Sequence, residues 1–284
     1  MRRETEKSPA NLDPHTAEGF DRIWKRYGAP EAHGGSLEQC DAFEAYFSIF
    51  PMERLAGAEG FDLGCGNGRI ARYVAPVAGR LHCIDQSEAG LAAARAAMRH
   101  LSNVDFHQAS VDSLPLADGS QDFGYSIGVL HHIPDPIAGL RNCVAKLKSG
   151  APFLLYLYYS LDNRPRWFRV IWRASDVARR VISRLPFRLR AATSTGIAAV
   201  AYWPLSRAGR LLRSLGVPTA NLPLSIYVDQ SWATLKADSL DRFGTSVEHR
   251  FSRAQIEEMM RDAGLVDIRF REEQPYWVAL GYRQ

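Results

Sequence analysis

The chain has 284 residues, of which 46% are hydrophobic and 23% are charged, and its formal net charge at pH 7 is +4. This composition is that of an ordinary globular protein and excludes a disordered or fibrous chain. The length allows two small domains or one α/β domain with additions, and either arrangement buries a full core.

The cysteines and the first residues narrow the class of protein further. Cys40, Cys65, Cys83 and Cys143 are scattered without a C-x-x-C pair or a neighbouring histidine pattern, so neither a disulfide framework nor a metal site is expected. Residues 1–15 carry charges and prolines where a signal peptide needs an apolar run. We therefore expect a cytoplasmic protein.

An N-terminal cap of two helices is predicted first along the chain. Aromatic side chains recur at roughly helical spacing at 17–27 and again at 36–50, around the Gly34–Gly35 break. Two of them, Trp24 and Tyr46, could cover a bound ligand, or they could pack between the cap and the sheet.

Short apolar runs then alternate with helical patterns over residues 61–159, which predicts a series of parallel strands joined by helices. A helix is expected from about Arg69, and Ser87 is the expected N-cap of another that runs to Arg99. A further helix, over 136–148, leads into the fifth strand, at 151–159.

The C-terminal segment predicts one more helix and a hairpin. Ser252 and Gln255 have the spacing of a capping box, and Gly264 is the expected helix stop. The two apolar runs that follow are separated only by Gln274 and Pro275, too few residues for a parallel crossover, so the strands should be antiparallel.

These elements predict an α/β fold: a seven-stranded, doubly wound, mostly parallel sheet with a C-terminal antiparallel hairpin and an inserted helical subdomain. We expect four parts, namely a cap at 1–50, a ligand-binding core at 51–160, a helical insert at 161–240 and a segment at 241–284 that completes the core.

The most specific pattern is FDLGCGNGR, in which Asp62 ends a strand and Gly64, Gly66 and Gly68 turn into the next helix. Glycines there let the backbone adopt unusual angles and approach a ligand, while the helix start offers free N–H groups. The dinucleotide fingerprint needs a glycine three residues after Gly66, and position 69 is arginine, so NAD is disfavoured.

Asp85 ends the second predicted strand, at the position where a carboxylate can accept hydrogen bonds from both hydroxyls of a ribose. The alternative is an aspartate that only enters the next helix or turn. The preceding glycine turn favours the ligand-binding interpretation.

With these residues the sequence resembles the class I S-adenosylmethionine-dependent methyltransferase superfamily. The D-x-G-x-G-x-G motif of that superfamily corresponds to residues 62–68, its ribose-binding acid to Asp85, and the resemblance covers residues 50–160 and the C-terminal hairpin. It implies a Rossmann-like core, S-adenosylmethionine as cofactor, and adenine contacts from Ser110 and the backbone N–H of Val111. The cofactor-binding residues that it implies are Asp62, Gly64, Cys65, Gly66, Gly68, Asp85, Gln86, Ser110, Val111 and Ile127.

Two histidines follow the fourth strand, at the edge where open α/β sheets place their ligands. Methylation of a hydroxyl needs a base that takes its proton, and an imidazole, with a reference pKa of about 6.5, suits that task. His131 and His132 are therefore the candidate catalytic residues, with His131 preferred. Alternatively, either histidine only caps or lines the loop.

The candidate acceptor-binding residues are Tyr46, Tyr158, Tyr227 and His249. By strand alternation Tyr158 should share a face with Tyr156, with Tyr159 on the other. Such a tyrosine could orient the acceptor or be a core residue with its hydroxyl at the rim. His249 could add a polar group to the pocket or cap the next helix.

The insert is strongly basic. Residues 161–230 contain twelve arginines, no lysine and three aspartates. Since the whole chain carries +4, the other residues have a formal net charge of about −5. An amphipathic helix is predicted over 167–185, and the uncharged run at 191–205 is too short to span a membrane. Three interpretations stay open: a lid over the acceptor pocket, which is preferred, a homodimer surface, or a peripheral membrane patch for lipid or a lipid-linked substrate.

Three functions are compatible with these patterns. The first is methylation of oxygen or nitrogen on a small molecule, which could be anionic or lipid-linked. The second is cyclisation or another non-methylating reaction on the same cofactor. The third is a membrane or nucleic-acid binding protein without turnover, although arginines at helical spacing are more typical of a solvated helix face than of a nucleic-acid site.

Overall fold

The computed structural model describes residues 11–27, 36–219 and 222–284, and of residues 27 and 36–39 only the backbone. The Gly34–Gly35 break and residues 1–10 lie outside the described residues. The strands are β1 (Glu59–Leu63), β2 (Arg80–Asp85), β3 (Val104–Gln108), β4 (Phe123–Ile127), β5 (Pro152–Tyr156), β6 (Leu265–Phe270) and β7 (Val278–Arg283). The helices are α1 (Pro14–Tyr27), α2 (Ser36–Phe47), α3 (Ala71–Val74), α4 (Glu88–Ala97), α5 (Pro136–Lys146), α6 (Arg166–Ile182), α7 (Phe187–Ile197), α8 (Trp203–Ser214), α9 (Trp232–Gly244) and α10 (Arg253–Asp262).

Within the described residues, one sheet has the strand order β3-β2-β1-β4-β5-β7-β6. Strands β1 to β5 pair in parallel, and β7 is antiparallel to both β5 and β6. The predicted mostly parallel, seven-stranded sheet with a C-terminal antiparallel hairpin is confirmed. Because the parallel strands point the same way, the ends of β1, β2, β4 and β5 meet at one edge of the sheet.

Helices cover both faces of the sheet, which is why its central strands are apolar on both sides. On one face, Leu140 of α5 and Met260 of α10 pack on Phe153. On the other face, Leu91 of α4 and Phe47 of α2 complete a second buried cluster with sheet residues.

Several local expectations hold in detail. Ser87 caps α4 by accepting a hydrogen bond from the Gly90 N–H, and Ser252 and Gln255 form the capping box of α10. The helix expected from Arg69 is only four residues long, Ala71–Val74, because Pro76 has no N–H to continue it. Strand β5 ends at Tyr156, earlier than expected.

Helix α1 packs against both α4 and α9. Its Asp21 accepts hydrogen bonds from the Ser87 hydroxyl (2.8 Å) and the Ala89 N–H (3.3 Å) at the start of α4. Just before α1, Asp13 accepts from the Ser246 hydroxyl (2.6 Å), beyond the end of α9. The cap is thereby tied to the core and to the insert.

The insert consists of α6 to α9 with a π-helical turn, Ala198–Tyr202, between α7 and α8. The boundary predicted after residue 240 lies inside α9. None of the helices in the described ranges combines the length and the apolarity needed to cross a membrane.

Candidate functional site

A cavity of about 920 Å³ lies at the edge where the parallel strands end, enclosed by the sheet, the cap and the insert. Small-molecule sites occupy about 300–1,000 Å³. The cavity is near the upper end of that range, so it can hold two reactants of the smaller kind side by side. Glycine-turn residues and acids line one end of the cavity, and aromatic and arginine side chains of the insert line the other.

The glycine turn forms the floor at the sheet end. Gly64 has φ +77°, and its N–H donates to the Ile84 carbonyl (2.7 Å). Gly66 has φ +52° and lies under the indole of Trp24, so close that a Cβ would come within 2.6 Å of the ring. Both positions need glycine, because other residues rarely adopt positive φ and would collide here.

Asp85 is held in place by the same turn. Its two carboxylate oxygens accept the N–H groups of Gly66 and Ser87, each at 2.8 Å. Each oxygen keeps a second lone pair for a ligand hydroxyl. Burial raises the pKa of Asp85, although these backbone hydrogen bonds oppose that shift.

Asp62 lies beside Asp85 at the end of β1 and is 3% exposed. Burial raises its pKa to about 8, and the charge of Asp85 adds to the shift. Two enclosed acids at one end of a cavity favour a ligand that brings positive charge and hydroxyl groups.

These features fit the expected cofactor, which has ribose hydroxyls, an ammonium group and a sulfonium. Asp85 suits the hydroxyls. Asp62, whose raised pKa keeps it protonated at neutral pH, would be drawn into its charged form by an ammonium group beside it. The wall also leaves room for the cofactor at Gly128, which follows β4. Gly128 has φ +77°, and a Cβ at this position would meet no atom within 4 Å. The other expected residues that line this end are Cys65, Gln86, Val111 and Ile127.

Two residues expected to bind the cofactor lie elsewhere. Gly68 does not line the cavity, since it packs on Ala94 and Met98 of α4, where a Cβ would come within 2.8 Å of the methionine. Ser110 also lies outside the wall, and its hydroxyl is 3.1 Å from that of Ser113. Cofactor contacts of these two residues stay predictions.

The two histidines are placed differently. His131, the preferred base, is fully buried behind Tyr158, with ring centroids 3.8 Å apart, and does not line the cavity. Burial lowers its pKa well below the usual value, so its ring is neutral. His132 lines the cavity instead. The turn at Leu130–His132 thus brings His132 to the cavity wall and leaves His131, the base preferred from the sequence, behind it.

His132 has a defined proton arrangement. Its Nδ1 lies 2.9 Å from the Val247 carbonyl oxygen, and because a carbonyl only accepts, Nδ1 carries the hydrogen. Nε2 of the neutral ring then has a lone pair, and it lies 3.8 Å from Oδ1 of Asp241. Two acceptors face each other, so a proton taken up by Nε2 would be stabilised at once by the carboxylate.

Tyr158 completes this group. Its hydroxyl donates to Oδ2 of Asp241 at 2.7 Å, and burial raises its pKa well above the usual value. The phenol is therefore a hydrogen-bond donor that holds the carboxylate. Asp241, in the last turn of α9, was not predicted as a site residue, because only the packing of the insert brings it to His132.

Of the other residues expected to bind the acceptor, Tyr46 and Tyr227 line the cavity. Tyr159 lines the cavity as well, but it packs against one buried cluster and Tyr156 against the other, as the alternation predicts. His249 does not line it, and its backbone N–H donates to the His131 carbonyl at 2.9 Å. A role of its side chain in acceptor binding stays a prediction.

A buried ion cluster at the insert end was also missed. Glu248, whose side chain is 1% exposed, accepts from Arg242 at 2.8 and 2.9 Å and from Arg250 at 2.8 Å. The Arg250 guanidinium lies between the Tyr158 and Trp172 rings, 5.1 and 5.0 Å from their centroids. Both arginines line the cavity, as do Asp238 and Asp241, so this end is lined by charges of both signs. Arg242 and Arg250 are only six and two residues from Glu248, but that spacing alone does not predict a buried cluster.

Comparison with known proteins agrees with this geometry. Residues 61–155 match a family described as a methyltransferase domain. Curated relatives include ubiquinone biosynthesis O-methyltransferases of Nitrosospira multiformis, 26% identical over 58% of this chain and 67% of the relative, and of Marinobacter nauticus, 27% identical over 54% and 64%. This chain thus spans about two thirds of the length of these relatives.

Solved structures share the fold. A Bacillus halodurans protein provisionally described as a methyltransferase has a TM-score of 0.51 and 16% identity, over 81% of this chain and 72% of that one. A chain from a Haloferax volcanii complex of the Trm112 methyltransferase activator with a provisionally assigned methyltransferase also has a TM-score of 0.51 and 16% identity, over 94% and 96%. With the glycine turn, Asp85 and the strand order, the match of residues 61–155 makes the core of this chain similar to the class I S-adenosylmethionine-dependent methyltransferases, whose fold it shares.

Proposed function

We propose that this protein transfers a methyl group from S-adenosylmethionine to a hydroxyl of a small-molecule acceptor, with His132 as the base. The observation that carries the proposal is the pairing of His132 Nε2 with the carboxylate of Asp241 on the cavity wall, 3.8 Å apart. The names of the curated relatives, which place the methyl group on oxygen, support the same acceptor atom.

The cofactor, when bound, supplies a methyl group activated by a positively charged sulfur. Methyl transfer then needs alignment, a water-poor cavity and removal of the acceptor proton. His132 Nε2 accepts that proton, the Val247 carbonyl fixes the ring tautomer, and Asp241 stabilises the resulting imidazolium. Tyr158 keeps the carboxylate in place through its 2.7 Å hydrogen bond.

The insert end of the cavity indicates the kind of acceptor. Tyr156 and Trp172 offer aromatic faces, and Arg164 and Arg250 line the same region. Aromatic faces favour a planar molecule, and arginine favours a carboxylate or phosphate. We therefore expect a planar alcohol or phenol with an anionic substituent or an attached lipid.

The test uses a set of phenols, catechols and hydroxylated aromatic acids as probes, incubated with S-adenosylmethionine and analysed by mass spectrometry. A methylated product is expected. His132→Gln should lower kcat by about 10²–10⁴-fold, the usual contribution of a general base, and leave cofactor affinity unchanged.

His249→Gln is the matched control, because His249 lies outside the cavity and should leave kcat unchanged. Asp241→Asn should lower kcat with little change in KM, because it removes the charge that stabilises the protonated ring. Full activity of His132→Gln, or methylation only on nitrogen, would rule out the proposed base.

A further inference from the structure

Exposed apolar side chains are concentrated in the insert. Among the described residues, fifteen large apolar side chains are exposed, and thirteen of them lie between residues 167 and 226. Scattered single residues of this kind are normal on a protein surface, but a concentration in one segment marks an interaction site.

Helix α6 is amphipathic with its apolar face turned towards solvent. Asp176 and Arg179 are buried on its inner face, where they bond to each other at 2.8 Å. The outer face carries apolar residues at helical spacing, each between 49% and 63% exposed. These residues are Trp167, Val170, Ile171, Val177 and Val181.

Arginines flank this apolar stripe on one side. At 100° per residue, Arg166, Arg169, Arg173 and Arg180 fall in one arc of the helix, next to the stripe. Within the part of the chain that the structure describes, the first three form no ion pair, and Arg180 bonds to Asp176 while its side chain stays 68% exposed. The charges are therefore available to an external anion.

The stripe continues to the mouth of the cavity. Ile171 is 52% exposed and lines the cavity, and so do Leu205 and Ile226, which are 42% and 48% exposed. An apolar surface placed against α6 would thus also lie over the entrance.

We infer that α6 docks on the surface of a lipid bilayer that contains anionic lipid, with the cavity mouth facing the membrane. An exposed apolar stripe that includes a tryptophan and is flanked by arginines is the pattern of a helix lying in the membrane interface. The arginines complement anionic headgroups, and the stripe would enter the acyl boundary. This inference goes beyond the proposed reaction and does not depend on it, because vesicle binding requires no turnover.

Sedimentation of the full-length protein with vesicles tests it. We expect binding to vesicles of equimolar phosphatidylcholine and phosphatidylglycerol, and binding at least about tenfold weaker to phosphatidylcholine alone, because the arginine contribution is lost. Added salt should weaken binding to the anionic vesicles. Arg173→Gln should weaken it about fivefold, the contribution of one arginine near an anionic surface.

The decisive variant is Val170→Glu/Val177→Glu, which should abolish vesicle binding by charging the stripe. Val77→Glu is the matched control, since Val77 is 48% exposed but lies outside the insert, and it should bind as the wild type does. Affinity for S-adenosylhomocysteine checks the folding of each variant, and Val177→Ser replaces the double variant if that one fails to fold.

Three outcomes would overturn the inference. The first is no binding to anionic vesicles, and the second is equal binding by the stripe variant and the wild type. The third is a stable dimer by light scattering that the stripe variant dissociates, without any vesicle binding, because a second copy would then cover α6.

Discussion

Replacing Gly64 with alanine separates the two reasons why the cofactor turn needs glycine. The φ of +77° alone costs about 1–2 kcal/mol for an alanine in the left-handed region. A Cβ would also lie 2.2 Å from a methyl of Val129, and such overpacking costs about 1–3 kcal/mol more. We therefore expect Gly64→Ala to lower the free energy of unfolding by about 2–5 kcal/mol.

Gly57 supplies the control, because it has φ +73° and nothing lies within 4 Å of its Cβ position. Gly57→Ala should cost only the backbone part, about 1–2 kcal/mol. Urea unfolding followed by circular dichroism measures both variants. Adding Val129→Ala to Gly64→Ala removes the methyls at 2.2 and 2.7 Å but keeps the Cβ of residue 129 at 2.9 Å. It should therefore recover part of the overpacking cost, with a coupling energy of about 0.5–3 kcal/mol. Equal costs at Gly64 and Gly57, or no rescue, would refute this account of the turn.

Three further changes probe the charges and the shape of the cavity. Gly128→Ala should cost no more stability than Gly57→Ala, but it should weaken binding of S-adenosylhomocysteine in calorimetry, because the methyl group points into open cavity space. The raised pKa of Asp62 means that the folded protein keeps a proton that the unfolded chain loses. Stability should therefore fall as the pH rises from 3.8 to about 8, and Asp62→Asn should flatten the urea midpoints over that range. Glu248→Gln removes the counter-charge of Arg250 and leaves Arg242 only Asp176, at 3.9 Å, so it should cost about 3–5 kcal/mol. Glu257→Gln, at an exposed pair, should cost under about 1 kcal/mol in the same assay.

The sheet and the cofactor end of the cavity were predictable because their signals are local. Ser87 and Ser252 mark helix starts through neighbours three residues away, and the ends of parallel strands share one edge of a sheet, which brings Asp62 and Asp85 together. The acceptor end was not predictable in this way. Asp241 reaches His132 only through the packing of α9, more than a hundred residues along the chain.

The direction in which side chains face was the second feature that the sequence did not predict. The spacing in α6 predicts an amphipathic helix, but spacing alone does not say which side faces the protein. The buried pair Asp176 and Arg179 turns the apolar side outwards. Similarly, two adjacent histidines share the same sequence signal, and only the turn that contains them decides that His132 meets the cavity and His131 does not.

One helix, α1, is fastened both to the cofactor end, through Asp21 and Ser87, and to the insert, through Asp13 and Ser246. A displacement of this helix would therefore open both ends of the cavity together. Loading of the donor and departure of the methylated product would then share one gating event, and the rate of that event would set an upper bound on turnover.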